Sequence, residues 1–186
     1  MTSIIKVDQI QNTGGTSAVS IDSSGIVNLS NTVMYDNYTL SSNFTSDGGT
    51  LSDWGKPSTS IYVANGVGAL MSISSGIFTF PRTGVYRVSY FAMISNASSD
   101  NQTALSLFGT DDNSTYERVV YAGIGNSTSA TDFAHVSAEV LVNVTNTSNR
   151  KIKLVLESAN NGSFILGSSA EARTGVSFQW LSPTQT

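Results

Sequence analysis

The sequence holds a single histidine, His135, in the stretch FAHVSAEVLVNV, and histidine is the side chain most suited to proton transfer near neutral pH. Strand alternation would place Ser137 and Glu139 on the same face, which supplies the three residue types of a Ser-His-carboxylate triad. Serine is so abundant in this chain that its closeness to the histidine carries no weight. The plainer reading makes His135 a solvent or subunit-interface residue. A second cluster lies in GTDDNSTYE, where Asp111, Asp112, Asn113 and Glu117 offer hard oxygen ligands of the kind that hold calcium. The spacing is not that of an EF-hand loop, and Asp and Asn at such a place also close turns through side-chain to backbone hydrogen bonds. No glycine cluster precedes a helical pattern in a way that would cradle a phosphate. Sites of the type Asn-x-Ser/Thr recur at Asn37, Asn43, Asn96, Asn101 and Asn126, and they read as by-products of a surface rich in Asn, Ser and Thr. No catalytic residue, metal ligand or cofactor is assigned.

The elements that would position these residues are strands. In VYRVSYFAMI, Tyr86, Val88, Tyr90, Ala92 and Ile94 share one face and Arg87 and Ser89 the other. FAHVSAEVLVNV alternates from Ala134 to Val144, KIKLVLE sets Ile152, Leu154 and Leu156 in register, and TGVSFQWL does the same with Val176, Phe178 and Trp180. Shorter strands are predicted at ALSLF, ERVVYAG, SIYVA and ALMSI. Breakers separate them at Asn65-Gly66, Ser75-Gly76, Thr83-Gly84, Asp111-Asp112-Asn113, Asn149 and Asn161-Gly162. Many strands without an intervening helical pattern predict an all-β fold of antiparallel sheets.

Composition narrows the function classes. Only 12% of the 186 residues are charged, so Ser, Thr, Asn and Gly must solvate the surface. The net charge of -4 and the lack of any Lys/Arg run leave no stripe for a phosphate backbone, so nucleic acid is not expected as a partner. With no cysteine, disulfides and thiolate chemistry are unavailable. The opening MTSIIKVDQI has two consecutive apolar residues before Lys6 and Asp8, which is too few for a signal peptide, and no window is apolar enough to insert in a membrane.

Two units are expected: an attachment arm and small hairpin over residues 1–35, and a β domain over residues 36–186. In the first, Val19 and Ile21 oppose Val27 and Leu29 across the turn at Asp22 to Gly25, and two strands cannot bury their apolar face alone. In IIKVDQI, Ile4, Ile5, Val7 and Ile10 form a half-apolar strand that reads as an attachment segment whose edge awaits another chain. In the second unit, apolar residues on the outward phase (Phe91 and Met93, Leu141 and Val155, with His135 beside them) would leave apolar area exposed on a monomer. They are the expected subunit interface.

One stretch is more specific. In SSGIFTFPRTGVYRVSYFAMI, Pro81 ends a strand because it cannot donate to a ladder, and Gly84 supplies the freedom to reverse direction. This stretch resembles the signature of the complement component 1q and tumour-necrosis-factor-like superfamily, matched here by Gly76, Phe78, Thr79, Pro81, Gly84 and Tyr86, with Val88 at the following core position. The resemblance extends over residues 38 to 182. It implies a jelly-roll sandwich of about ten strands that forms a homotrimer. The family's Gly-Asp pair after the long strand is replaced by Asn146 to Asn149, so the resemblance carries no calcium or ligand role onto that region.

The N-terminal IIKVDQIQNTGG, followed by SAVSIDSSGIVNL, resembles the short β-rich openings of bacteriophage virion surface proteins. Together the two resemblances imply a non-enzymatic virion component assembled in the host cytoplasm and displayed on the virion surface. The first reading is a trimeric capsid-decoration (cement) protein whose arm binds the major capsid protein. The second is a short tail fibre held by a tail protein, its loops contacting a host surface glycan. A third, a carbohydrate-active enzyme, would require a pair of carboxylates in a cleft, and the acids are scattered singly.

Overall fold

The computed structural model describes residues 9–11, 14, 17–21, 27–29, 33–56, 66–125 and 133–185. These residues form strands and no helix. The strand predicted at 60–64, and the attachment residues Ile4, Ile5 and Val7, lie outside them.

Three short strands, β1 (Gln9–Gln11), β2 (Ser17–Ile21) and β3 (Val27–Leu29), make an antiparallel meander with a ladder of its own. Val19 pairs with Leu29 and Ile21 with Val27, the register expected of the hairpin. Ile10, the one described residue of the expected attachment segment, pairs with Val19 in β1, the edge strand of the meander, and its side chain is 54% exposed.

The remaining strands form two facing antiparallel sheets. The first runs in the order β11 (Phe133–Val144), β8 (Gly84–Ser95), β14 (Gly175–Ser182), β4 (Met34–Leu40), β5 (Trp54–Gly55), with β13 (Phe164–Ile165) extending the β14 side of β8. The second runs β10 (Glu117–Gly125), β9 (Gln102–Thr110), β12 (Lys151–Glu157), β7 (Ile77–Thr79), β6 (Ser72–Ser74). The sandwich starts at Met34, two residues ahead of the boundary drawn from composition, and Met34 is buried in its core.

The core forms where the inward phases of the two sheets meet. Tyr86, Val88, Tyr90, Ala92 and Ile94 of β8 face Leu105 and Leu107 of β9 and Ile152, Leu154 and Leu156 of β12. Phe78 is the hub of an aromatic cluster, with ring centroids 5.0 Å from Phe178 and 5.3 Å from Tyr38, in the offset and edge-on arrangements aromatic quadrupoles favour. The Tyr90 hydroxyl donates to the Leu105 carbonyl at 2.9 Å and so ties the two sheets together, and burial pushes this phenol up to about 12.

The Gly76–Tyr86 motif is structural. Ser75 and Gly76 have φ of 50° and 79°, the pair of positive values that a tight two-residue hairpin between β6 and β7 requires. A Cβ on Gly76 would stand 2.1 Å from the Leu51 carbonyl oxygen. After Pro81 the chain reverses, and the Tyr86 hydroxyl closes the reversal by donating to the Arg82 carbonyl at 2.8 Å. Gly84, at φ 144°, lies under the Trp180 indole, whose Nε1 would be 2.0 Å from any added Cβ.

Candidate assembly face

β11 is an edge strand, and its inward residues Val136, Ala138, Val140 and Val142 are only half-buried against the core. Its outward residues continue the outer face of β8. The ladder sets His135 opposite Met93, Ser137 opposite Phe91 and Glu139 opposite Ser89. Phe91, Met93, Phe133 and His135 thereby surround a hollow of about 390 Å³, with Leu166 in its wall and Glu171 and Arg173 at its rim. Phe91 is 41% exposed and Phe133 57% exposed, large values for aromatic side chains. The Phe91 ring occupies the space left by Gly175 of β14, where a Cβ would meet it at 2.8 Å. Arg173 Nε donates to Glu171 Oε1 at 2.6 Å, so the charges at the rim neutralise each other.

The structure thus brings together three of the five residues expected at a subunit interface: Phe91, Met93 and His135. Leu141 shares their sheet face and is 60% exposed, but it lies six residues farther along β11, about 20 Å away at strand spacing. Between the two, Arg87, Ser89 and Glu139 form a polar band: Ser89 Oγ donates to Glu139 Oε2 at 2.9 Å, and Arg87 Nε stands 3.3 Å from Glu139 Oε1. Val155 does not belong to the set. It lies in the second sheet and is 5% exposed, and residues 48–51 pair alongside β12, with Thr50 bridged to Val155, Gly48 N–H donating to the Leu156 carbonyl and Leu51 N–H to that of Leu154. Strand alternation reports which way a side chain points and not which sheet its strand joins. Phe133 was missed for a related reason: as the first residue of its strand it has no preceding alternation to set its phase.

The chemistry-bearing residues fall into structural roles. Glu139 is engaged by Ser89 and Arg87, and at four strand residues, about 13 Å along β11, it is too far to orient His135. In the β9–β10 turn Asp112 Oδ1 accepts the N–H of Thr115 at 2.7 Å and of Ser114 at 2.8 Å and the Thr110 hydroxyl at 2.8 Å. Those bonds, the backbone of Thr115 foremost, hold its carboxyl well below the usual carboxylate range. Asn113 adopts φ 63° in the same turn. This is the turn-closing arrangement, with the carboxylate directed at its own backbone.

A buried charge that alternation did not reveal lies in β4. Asp36 takes an inward position between Met34 and Tyr38, and it is fully buried. It pairs with Lys56, whose ammonium also stands 3.7 Å over the Tyr38 ring, and Oδ2 accepts the Met71 N–H at 2.9 Å. The pair anchors the ends of both flanking segments, 33–56 and 66–71, to one carboxylate. The Tyr38 hydroxyl donates to the Met71 carbonyl at 2.9 Å, and burial, with Asp36 adding to it, raises this phenol to about 12.

No protein-family model and no curated protein matches the chain. Solved structures do. Eiger TNF from S. frugiperda aligns with a TM-score of 0.59 at 11% identity, over 83% of this chain and 96% of that one. Murine APRIL, in its crystal structure at pH 8.5, aligns with a TM-score of 0.58 at 12% identity, over 80% of this chain and 99% of that one. Agreement this complete at such low identity is agreement of fold, and the chain is therefore a TNF-like jelly roll.

Proposed function

We propose that the chain is a non-enzymatic structural protein of a bacteriophage virion, a homotrimer that decorates the capsid surface and is held there by its N-terminal residues 1–35. The observation that carries the assembly part is the hollow formed by Phe91, Met93 and Phe133, an apolar patch on the flat outer face of a sheet that would otherwise be solvated. A closed trimer would bury this patch on every protomer. The attachment part is supported by the meander, which has a ladder separate from both sheets of the sandwich and consists of three short strands with too little area to form a core of their own. The virion reading rests on the N-terminal stretch IIKVDQIQNTGG and on a cysteine-free, sparsely charged chain suited to a reducing cytoplasm.

The test is a reconstruction of the virion together with a deletion of residues 2–30. Trimeric density over the head lattice supports decoration. Density at the tail alone replaces it with the tail-fibre reading, and absence from the particle removes both. The deleted protein is expected to stay a folded trimer that no longer binds particles. An unfolded product would make the meander part of the core instead.

A further inference from the structure

At the other end of β11 from His135 a second concavity opens between the two sheets, about 320 Å³ in volume and bounded by the β9–β10 and β11–β12 turns. Its floor is aliphatic, with Leu107, Val142 and Ile152. Its walls differ in charge. Arg150 comes from the turn just ahead of β12, Asp111 from the β9–β10 turn and Glu117 from the first position of β10. Arg150 Nε is buried and has no hydrogen-bond partner among the described residues, and a buried donor left unpaired is unfavourable until an acceptor reaches it.

The walls are held in place independently of any ligand. Asn146 Oδ1 accepts the Ser148 N–H at 2.8 Å and the Asn146 carbonyl accepts the Arg150 N–H at 2.9 Å, which fixes the turn that presents the guanidinium. The Asn113 N–H donates to the Asn149 carbonyl at 3.1 Å and so links the two turns to each other. A site fixed before binding loses little ordering entropy when it is filled.

A ligand matching this crevice offers an oxyanion to one wall, hydrogen-bond donors to the other, and C–H surface to the floor. Inorganic anions satisfy only the first wall and are repelled by the second. The volume stands at the lower end of the range for organic ligand sites, roughly 300–1,000 Å³, larger than a simple anion fills. We propose that this crevice binds a carboxylate-bearing sugar, with its carboxylate on Arg150, its hydroxyls donating to Asp111 and Glu117, and its ring over Val142 and Ile152. The inference stands apart from the trimer and virion readings, since it uses none of the residues of the Phe91 hollow.

The experiment is calorimetric titration of the full chain at fixed ionic strength with a glucuronate disaccharide, with its carboxyl-reduced neutral counterpart, and with a short peptide bearing a free C-terminus. Saturable binding of the glucuronate alone is expected, with affinity lowered at least tenfold by Arg150→Lys, because a lysine cannot reproduce the planar guanidinium donors. Glu117→Gln, which leaves Arg150 in place, should weaken binding less. Thermal melts of both variants report whether the fold persists, and one folded variant is enough for the comparison. No saturation at millimolar glucuronate, equal binding of the neutral sugar, or affinity unchanged in a folded Arg150→Lys variant overturns the proposal. Preference for the peptide would reassign the crevice to a protein terminus and overturn it as well.

Discussion

Replacing Phe91 by serine removes an aromatic side chain from the proposed subunit interface. Phe91 is 41% exposed in the single chain. A phenylalanine carries about 200 Å² of buriable surface, so about 80 Å² remains for a neighbour to cover. At about 25 cal/mol per Å² this is worth about 2 kcal/mol per protomer, or about 6 kcal/mol over a trimer, an upper figure because not all of the area need be covered. Six kcal/mol is about four decades in the trimerisation constant. The midpoint concentration of a monomer–trimer equilibrium follows the square root of that constant, so the midpoint should rise about 100-fold. The part of the ring already buried over Gly175 contributes about 3 kcal/mol to folding, which a domain stable by about 5–15 kcal/mol survives. Sedimentation equilibrium across a concentration series measures the midpoint, and circular dichroism confirms that the variant is folded. A wild-type chain that remains monomeric at every concentration, or a folded Phe91→Ser variant with an unchanged midpoint, refutes the assignment of this face.

Gly84→Ala places a methyl 2.0 Å from Trp180 Nε1 at a φ of 144°, and should cost about 3 kcal/mol, read as a lower denaturation midpoint. Lys56→Met leaves the fully buried Asp36 without its counter-charge, for a loss of about 3 kcal/mol and a melting temperature lower by roughly 10 °C in a chain of this size. Tyr38 and Tyr90 keep their protons to about pH 12 in the folded chain. Unfolded tyrosines ionise near pH 10, so the unfolded state binds fewer protons above that pH, and stability that is constant below pH 10 should fall between pH 10 and 12, by about 1.4 kcal/mol per tyrosine at pH 11. Urea titrations at pH 9 and pH 11 measure the loss, from which Tyr90→Phe should remove its own share, while the phenols of Tyr38, Tyr86 and Tyr116, also raised by burial, keep theirs.

Long alternating strands were legible to within a residue. The stretches FAHVSAEVLVNV and KIKLVLE coincide with β11 and β12, and VYRVSYFAMI falls inside β8. Each spans enough residues for the period of two to repeat several times, which averages out a stray polar residue. β4 was not legible because Asp36 occupies an inward position that the pattern requires to be apolar, and only the Lys56 and Met71 contacts, from 20 and 35 residues away, explain how it is tolerated. Strands β5 and β13 have two residues each and no period to detect. The proposed assembly face was half legible. Phase alone gave the outward direction of Phe91, Met93, His135 and Leu141, but which sheet a strand joins depends on distant chain, and Val155 lies in the second sheet, bridged to Thr50.

Strand period also separates the fold from the proposed assembly on a single element. Along β8 the inward residues Tyr86 and Tyr90 send hydroxyls to Arg82 and Leu105, closing a turn and joining the sheets, while the residues of the alternate phase, Arg87, Ser89 and Phe91, face outward. Tyr90 and Phe91 are adjacent in sequence and aromatic, yet the first has no surface to offer a neighbour and the second has two-fifths of its area to offer. Tyr90→Phe should therefore lower folding stability and leave the monomer–trimer midpoint where it was, and Phe91→Ser should move the midpoint by far more than its folding cost explains. If the two substitutions instead changed stability and midpoint in the same proportion, the outer face would be acting only through the fold, and the separation of roles along β8 would not hold.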